Sequence, residues 1–327
     1  MEFKKEVDIK SGLEYLARPG LDLHQHIMLD ILKSFSEICM NNRIDFWIDG
    51  GTLLGMSRHD SLIPWDDDID ICVPMYDWDK LISKLTDLSQ KDERYSLFYK
   101  SNRLNSWCEY FGRKDYLYED DEGFLRPVKI DLFPVKFISK DNLDYDIDMV
   151  DQVSQYLKYN KLGPEIKIPL NFSSALKYKN ETIEKYYNYC RSNSVAKENH
   201  FAIKGHGQFS PIKKADVHII YPLKTDSFMG IEVNVPNNVD KYLRLTYGED
   251  YFCPPDIGKR KSYNINTFEV DKISLSEYYI RCSSGYENIL FYLQKYRLVQ
   301  VYKLFILFKS RGVYFTVKKI FNFLKRG

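Results

Sequence analysis

Four aspartates within five positions form the most chemically informative stretch of this sequence. They are Asp66, Asp67, Asp68 and Asp70, and the last of them lies inside an apolar run. Alternate side chains of a strand share a face, so Asp68 and Asp70 should face one way, while Asp67 should point away. Asp66 lies two residues before Asp68, so it would share that face if the strand begins early. Carboxylate oxygens suit Mg²⁺ or Mn²⁺ better than zinc. The alternative is a solvated acidic loop, which the apolar setting of Asp70 disfavours.

A single aspartate in a later apolar stretch is the second chemical signal. Asp131 lies in the sequence VKIDLFPVKF. A charge within a buried strand is costly unless it has a partner. Lys129 shares its face and is one such partner, but we favour a third metal ligand reached from a neighbouring strand.

Two glycines after a short apolar strand predict a phosphate-binding turn. Gly50 and Gly51 follow the sequence DFWID and precede a helix start. Glycines let backbone N–H groups approach an anion, and the N-terminus of a helix adds positive potential. Thr52 should stand there with its hydroxyl free. Arg58 and His59 could meet an anionic group, or could equally be exposed loop residues.

The elements that would position these residues alternate between helix and strand. Apolar spacing predicts helices over 21–42, 77–88 and 239–247, the last with Gly248 as its C-cap, and two further helices near 149–159 and 181–190. Strands are predicted at 45–49, 69–73, 95–99, 107–113, 128–133, 217–221 and 228–235, with a turn near Asp226 or Gly230. Residues 116–123 should form an exposed loop or hairpin.

These elements predict an α+β or α/β fold, with a mixed sheet flanked by helices. The catalytic domain should span residues 1–287, with a core of 21–140 plus 215–256 and a helical insertion at 141–214. Residues 288–327 form a separate tail. It carries nine Lys and Arg without any acidic residue, so the rest of the chain has a net charge of −8.

The central motif resembles the signature of the LicD family, which includes the fukutin-type phosphotransferases of the nucleotidyltransferase-fold superfamily. The matching residues are GGTLLG at 50–55, Arg58, and IPWDDDIDI at 63–71. Further similarity lies in KIDLFP at 129–134 and in the segment from Val235 to Pro255. Residues Asp60-Ser61 depart from the family, which often has a glycine there, and this bears on the shape of the loop after His59.

The resemblance implies that the chain transfers a phospho-alcohol, phosphocholine or a polyol phosphate, from a CDP-linked donor to a sugar hydroxyl. The acceptor would be a cell-surface glycan, such as lipopolysaccharide or teichoic acid, and CMP would be released. Carried over by position, the catalytic metal ligands would be Asp68, Asp70 and Asp131. The residues expected at the donor phosphates or nucleotide are Gly50, Gly51, Thr52, Arg58, Asp66 and Arg113.

The tail at 288–327 is aromatic, aliphatic and basic, and it predicts two amphipathic helices that lie on an anionic membrane surface. Its alternative is a helix pair packed on the domain. Such a surface suits an enzyme whose acceptor is lipid-linked. Six cysteines without metal or disulfide spacing, and an N-terminus without an apolar leader, favour a cytoplasmic protein, peripheral on the inner face of the membrane.

Two other functions remain open from the sequence. One is a template-independent nucleotidyltransferase that releases pyrophosphate, although basic residues concentrated in the tail do not form a track for nucleic acid, and we expect no nucleic-acid partner. The other is a non-catalytic, membrane-associated binding protein. The intact residues Asp68, Asp70 and Asp131 favour an enzyme.

Overall fold

The computed structural model describes nine stretches of the chain: residues 4–8, 12–17, 19–98, 109–120, 125–139, 200–204, 214–262, 265–276 and 278. It also describes six single positions between residues 177 and 191. The predicted tail at 288–327 and the predicted helix near 149–159 lie outside these residues, and the proposed domain boundaries stay predictions.

The described chain is a mixture of strands and helices. The strands are β1 (Lys4–Val7), β2 (Glu14–Ala17), β3 (Trp47–Asp49), β4 (Asp70–Pro74), β5 (Tyr95–Phe98), β6 (Glu109–Asp120), β7 (Leu125–Ser139), β8 (His200–Lys204), β9 (Lys214–Asp216), β10 (Lys224–Phe228), β11 (Ile231–Val235) and β12 (Ile265–Lys272). The helices are α1 (Leu21–Asn42), α2 (Gly50–His59), α3 (Met75–Lys91), α4 (Val217–Ile220) and α5 (Val239–Tyr247), followed by a 3₁₀ turn at Ile257–Lys259.

Eight strands form one mixed sheet with the central order β12-β6-β7-β4-β3. Strand β5 pairs with β6, while β8 pairs with β7 and β9. Only the β4–β7 pair is parallel among these described pairs, and the others are antiparallel. The predicted α+β class, a mixed sheet flanked by helices and compatible with a nucleotidyltransferase-like fold, is confirmed.

Helix α1 covers the sheet and has the predicted bounds. Its inward residues Met28, Ile31, Leu32 and Phe35 have no solvent exposure. Burial of each such side chain stabilises the folded state by about 1.5–3 kcal/mol. The helix ends at Arg43, whose φ of 52° is left-handed. This helix also supplies side chains that hold the acidic loop, as described below.

Helix α5 follows the sequence pattern, and the hairpin before it does so in part, since the strand predicted at 228–235 begins at Ile231. The Asn238 side chain accepts a hydrogen bond from the Lys241 N–H at 3.0 Å, which caps the helix start. Gly248 ends the helix with φ of 95°. Strands β10 and β11 turn at Met229 and Gly230, both with positive φ, which selects one of the two predicted turn positions.

Three segments differ from the sequence predictions. Residues 217–220 are helical rather than extended, because the Asp216 carboxylate accepts a hydrogen bond from the His218 N–H and caps a short helix. Strand β6 continues through residues 116–120, where Leu117 and Tyr118 are buried, so only the hairpin alternative fits. Strand β8 lies in the stretch predicted to be helical, because it pairs with the end of β7.

The hairpin of β1 and β2 was not predicted. It attaches to the segment after the 3₁₀ turn, where the Leu16 N–H donates to the Arg260 carbonyl at 2.8 Å. The Arg260 guanidinium in turn donates to the Glu14 carbonyl at 3.0 Å. These bonds hold the hairpin against the segment that follows the 3₁₀ turn. Within the described stretches, no helix is both long enough and apolar enough to cross a membrane.

Candidate active site

Three aspartates lie side by side across three neighbouring strands. Asp49 at the end of β3 is the register partner of Asp70, the first residue of β4. Asp70 is in turn the register partner of Asp131 in β7. Register partners point to the same face of a sheet, and neighbouring strands lie about 4.8 Å apart. All three residues are at least 90% buried. The predicted pair from separate strands, Asp70 and Asp131, is therefore adjacent.

Asp49 is a residue of this row that the sequence reasoning missed. Its carboxylate accepts a hydrogen bond from the Cys72 thiol, with an Oδ2–Sγ distance of 3.1 Å. Burial raises the pKa of the Tyr242 side chain from α5, and the nearby Asp49 charge raises it further. The available signal was a charged residue that ends the buried strand Trp47–Asp49, directly before the glycines.

The loop before β4 gathers three more carboxylates. Asp66, Asp67 and Asp68 each place one carboxylate oxygen within 4.8 Å of the others. The expectation that Asp67 points away is wrong, because the strand begins only at Asp70 and side-chain alternation does not govern the residues before it. The loop backbone is held by α1, where the Gln25 amide donates to the Asp66 carbonyl at 2.8 Å. His24 bonds the Asp67 carbonyl at 3.1 Å.

The two glycines are required by the carboxylates that face them. A Cβ atom added at Gly50 would lie 2.2 Å from Asp70 Oδ2, and Gly50 has φ of 55°. A Cβ atom added at Gly51 would lie 2.3 Å from Asp66 Oδ2. Any side chain at either position would push a carboxylate away. The start of α2 and the acidic loop are thus parts of one site.

Thr52 has a different local role from the one expected. Its hydroxyl is not free, because Oγ1 accepts a hydrogen bond from the Asp70 N–H at 3.0 Å, and the residue is 1% exposed. The bond ties α2 to the first residue of β4. Thr52 therefore fixes the backbone from which the Asp70 carboxylate projects.

The carboxylates of the loop and of β4 repel one another. Burial raises the pKa of Asp66 well above its ordinary range. Neighbouring carboxylates add to that shift, and they belong to Asp68, Asp67 and Asp70. A cation placed among these groups would relieve the repulsion. The site therefore has the electrostatic character of a cation-binding cluster.

Two basic residues approach this cluster. The Lys129 ammonium forms an ion pair with the Asp131 carboxylate, so the partner considered from the sequence is present. Arg58, in the last turn of α2, is half-buried. Burial lowers its pKa, while the nearby Tyr247 and Asp66 act in the opposite direction. Arg58 thus lies within electrostatic reach of the loop carboxylates.

Arg113 is not brought to this site. Its register partner in β7 is Val128, whose parity is opposite to that of Asp131, so Arg113 faces the other side of the sheet. Its guanidinium binds Asp115 through two hydrogen bonds of 2.7 and 2.6 Å. We therefore do not carry the predicted donor-phosphate role of Arg113 into the proposed site.

Comparison with known proteins agrees with this arrangement. Residues 43–173 match the LicD/FKTN/FKRP nucleotidyltransferase domain. A lipopolysaccharide cholinephosphotransferase, LicD, of Haemophilus influenzae is 26% identical over 221 residues, which cover 63% of this chain and 71% of the relative. Residues 43–173 therefore form a LicD-type domain. Every carboxylate of the site, from Asp49 to Asp131, lies inside the matched LicD domain.

Two shorter matches were also found. Uncharacterized proteins of Rickettsia prowazekii and Rickettsia typhi are each 46% identical over 54 residues. Those matches cover 16% of this chain, and 18% and 16% of the two relatives. They add no information on activity.

The side chains of this LicD domain fit a divalent cation. The donor set consists of carboxylate oxygens, which hard ions such as Mg²⁺ and Mn²⁺ prefer. The acidic triad of Asp66, Asp67 and Asp68 has the spacing to share an ion. Asp70 and Asp131 stand next to it on the sheet, so further oxygen ligands are available from β4 and β7.

Proposed function

We propose that this chain is a metal-dependent phosphotransferase that moves a phospho-alcohol from a CDP-linked donor to a sugar hydroxyl of a cell-surface glycan. The observation that carries the proposal is the register of Asp70 with Asp131, beside the loop of Asp66 to Asp68. The match of residues 43–173 to the LicD/FKTN/FKRP nucleotidyltransferase domain supports a transferase. The cholinephosphotransferase activity named for the Haemophilus influenzae relative supports phosphocholine, with a polyol phosphate as the other candidate group.

Asp68, Asp70 and Asp131 are the residues proposed to hold Mg²⁺ or Mn²⁺. When bound, the ion supplies positive charge that binds and polarises the phosphates of the donor. Asp49 lies beside Asp70 and is held by a hydrogen bond from the Cys72 thiol, so it would help to position this set. Thr52 fixes the backbone of Asp70, which keeps the carboxylate in place.

The donor phosphates are proposed to lie between the start of α2 and Arg58. Backbone N–H groups of the first helical turn, at Gly50 and Gly51, suit an anion because they have no partner within the helix. Arg58 adds a planar cation, which binds phosphate through more than one hydrogen bond. Together these groups would orient the phosphorus that carries the alcohol.

In the transfer step, the sugar oxygen forms a bond to the phosphorus that carries the alcohol, and the bond from that phosphorus to CMP breaks. The sugar hydroxyl must lose its proton. We propose the Asp66 carboxylate as the acceptor, because it lies against Gly51 at the start of α2, where the donor phosphates are proposed to lie. Asp131, the alternative acceptor, already binds the Lys129 ammonium.

The activity test is incubation of the full chain with Mg²⁺ and CDP-choline, CDP-ribitol or CDP-glycerol, with a glycan acceptor present. Mass spectrometry should detect CMP together with an acceptor that has gained the phospho-alcohol. CTP in a parallel reaction tests the competing chemistry. Pyrophosphate from CTP, without CMP from any CDP-linked donor, would instead establish a nucleotidyltransferase. Release of neither product would contradict an enzymatic role.

The tail at 288–327 is proposed to bind an anionic membrane surface, where a lipid-linked acceptor would be found. Each of its basic residues would add about 1 kcal/mol near such a surface. Sedimentation with liposomes that contain anionic lipid should carry the full chain into the pellet, and removal of 288–327 should abolish this. Unchanged sedimentation after the deletion would contradict the proposal.

A further inference from the structure

The histidine next to Arg58 is buried and has a defined hydrogen-bond role. His59 is 3% exposed, and its ring contacts Trp65 edge-on, with 5.7 Å between ring centroids. The Arg58 Nε–H donates a hydrogen bond to His59 Nε2 at 2.9 Å. This bond requires a lone pair on Nε2, so the proton of the neutral ring must be on Nδ1.

The other ring nitrogen faces the N-terminal hairpin. His59 Nδ1 lies 3.7 Å from an Asp8 carboxylate oxygen, and Asp8 directly follows β1. The hairpin also contacts the acidic loop through Tyr15, whose ring lies 6.1 Å from that of Trp65. A carboxylate near Nδ1–H favours the tautomer that Arg58 needs. The Asp8 charge therefore lies on the Nδ1 side of the ring, while the Nε2 side bonds the arginine.

Two hydrogen bonds fix the orientation of the Arg58 guanidinium, and the bond to His59 Nε2 is one of them. A second hydrogen bond runs from Arg58 Nη1 to the Tyr251 carbonyl at 3.4 Å. These bonds use Nε and Nη1, and within the described stretches no hydrogen bond uses Nη2. The planar group is thus held by protein at two of its three nitrogens, while its remaining N–H groups can bind an anion.

We propose that His59 is a positioning residue of the donor site, which accepts a hydrogen bond from Arg58 and so fixes the guanidinium toward the donor phosphate. The inference rests on the proposed function, since it assigns Arg58 to the donor. It replaces the expectation that His59 itself meets an anion, because both ring nitrogens are directed toward protein groups. The Asp8 hairpin becomes part of the donor site through this contact.

The electrostatic setting of His59 agrees with this role. Burial lowers the pKa of His59, and the neighbouring Arg58 charge lowers it further, while Asp8 acts in the opposite direction and Arg260 in the same direction as Arg58. The ring therefore stays neutral near physiological pH and keeps its lone pair for Arg58. A protonated ring would carry a proton on Nε2 and repel the guanidinium.

A double-mutant cycle on the full chain tests the inference. His59→Asn removes the acceptor from the Nε2 position, whereas His59→Gln is long enough to restore a polar atom there. We expect His59→Asn to raise the KM for the CDP-linked donor about tenfold, the loss of one charge-assisted hydrogen bond, with a smaller change in kcat. His59→Gln should recover part of this affinity. Thermal unfolding of each variant verifies the fold.

The coupling between the two residues decides the outcome. If His59 acts through Arg58, then Arg58→Gln combined with His59→Asn should be no worse than Arg58→Gln alone. Losses that add, or a His59→Gln variant as impaired as His59→Asn, would overturn the inference. Calorimetric measurement of CDP affinity in the presence of Mg²⁺, on the same four proteins, gives the same double-mutant cycle without the need for turnover. If the protein shows no turnover but the CDP affinities of the variants are coupled, only the proposed function is refuted. If the protein does not bind CDP, both the proposed function and the role of His59 are refuted.

Discussion

The sheet holds buried charges in two regions, and it treats them in opposite ways. Arg113 and Asp115 form a closed pair, with two hydrogen bonds of 2.7 and 2.6 Å and side chains that are 11% and 7% exposed. Hydrogen bonding to Asp115 raises the pKa of Arg113 above its already high ordinary value. The guanidinium also lies over the ring of Tyr95, 5.2 Å from its centroid.

The aspartate cluster on the other face gathers like charges instead. The pKa of Asp66 is raised by burial and by its acidic neighbours. The pKa of Arg113, by contrast, is raised by its hydrogen bonds to a residue of opposite charge. Opposite charges that pair internally contribute to the fold, whereas like charges held together are costly unless a ligand compensates them. The difference indicates that the Arg113 pair is structural, and it supports the proposal that the cluster binds a cation.

The largest effect should come from Asp70→Asn. The variant should lose at least about a hundredfold in turnover, since it removes one ligand of the proposed ion. In the absence of metal it should unfold at the same temperature as the wild type or higher, because one repelling charge is gone. Turnover assays with saturating Mg²⁺ and calorimetric melts measure the two results. Wild-type turnover would rule out Asp70 as a metal ligand.

The closed pair should show the opposite response. Arg113→Ala leaves the Asp115 carboxylate buried without its guanidinium, so the free energy of unfolding should fall by about 3 kcal/mol. The turnover of the folded fraction should change little. Denaturant titration provides the measurement, and Arg113→Met with Asp115→Leu is the matched control that should recover much of the loss. A stable Arg113→Ala variant without activity would reverse the comparison.

Gly51→Ala tests the contact between α2 and the acidic loop. The added Cβ would lie 2.3 Å from Asp66 Oδ2, so the carboxylate must move while the helix gains a better helix former. We expect about a tenfold loss of turnover, or roughly 1.4 kcal/mol, without loss of stability. Gly258→Ala is the control, because no atom lies within 4 Å of its added Cβ. Equal turnover of both variants would contradict this.

The smallest expected effect is a pH dependence of stabilisation by Mg²⁺. The folded-state pKa of Asp66 is raised, so its contribution to metal-free stability is complete below the ordinary aspartate range and is lost as pH rises through the folded pKa. Mg²⁺ needs deprotonated carboxylates. It should therefore raise the melting temperature by about 2–4 °C near pH 7.5 and by less near pH 5. A larger increase near pH 5 would contradict the assignment.

The sequence predicted those parts of the fold in which local pattern and tertiary packing agree. Helix α1 and helix α5 have the predicted bounds, since their apolar faces and end residues are both clear. The short helix at 217–220 was missed because its apolar run is typical of a strand, and only the Asp216 cap decides the matter. The N-terminal hairpin depends on contacts with Arg260, which no local pattern reveals.

For the site, the sequence predicted which residues are involved better than it predicted where their side chains point. Asp70 and Asp131 were predicted from charge within apolar runs, and the sheet makes them register partners. Asp67 was placed wrongly because the strand starts later than expected. Arg113 was considered from its position along the chain, yet strand parity puts it on the opposite face. The place of Asp49 in the row depends on Asp70 and Cys72, which are distant in sequence. The acceptor role of His59 depends on its burial.

Direct measurement of Mn²⁺ binding by electron paramagnetic resonance tests the central claim, that the acidic cluster takes up a divalent cation. Wild-type protein and the control Asp226→Asn, changed at an exposed residue of β10, should reduce the free Mn²⁺ signal with the same affinity. Asp70→Asn and Asp131→Asn should weaken binding by at least about tenfold each. Equal Mn²⁺ affinity in all four proteins would contradict the account.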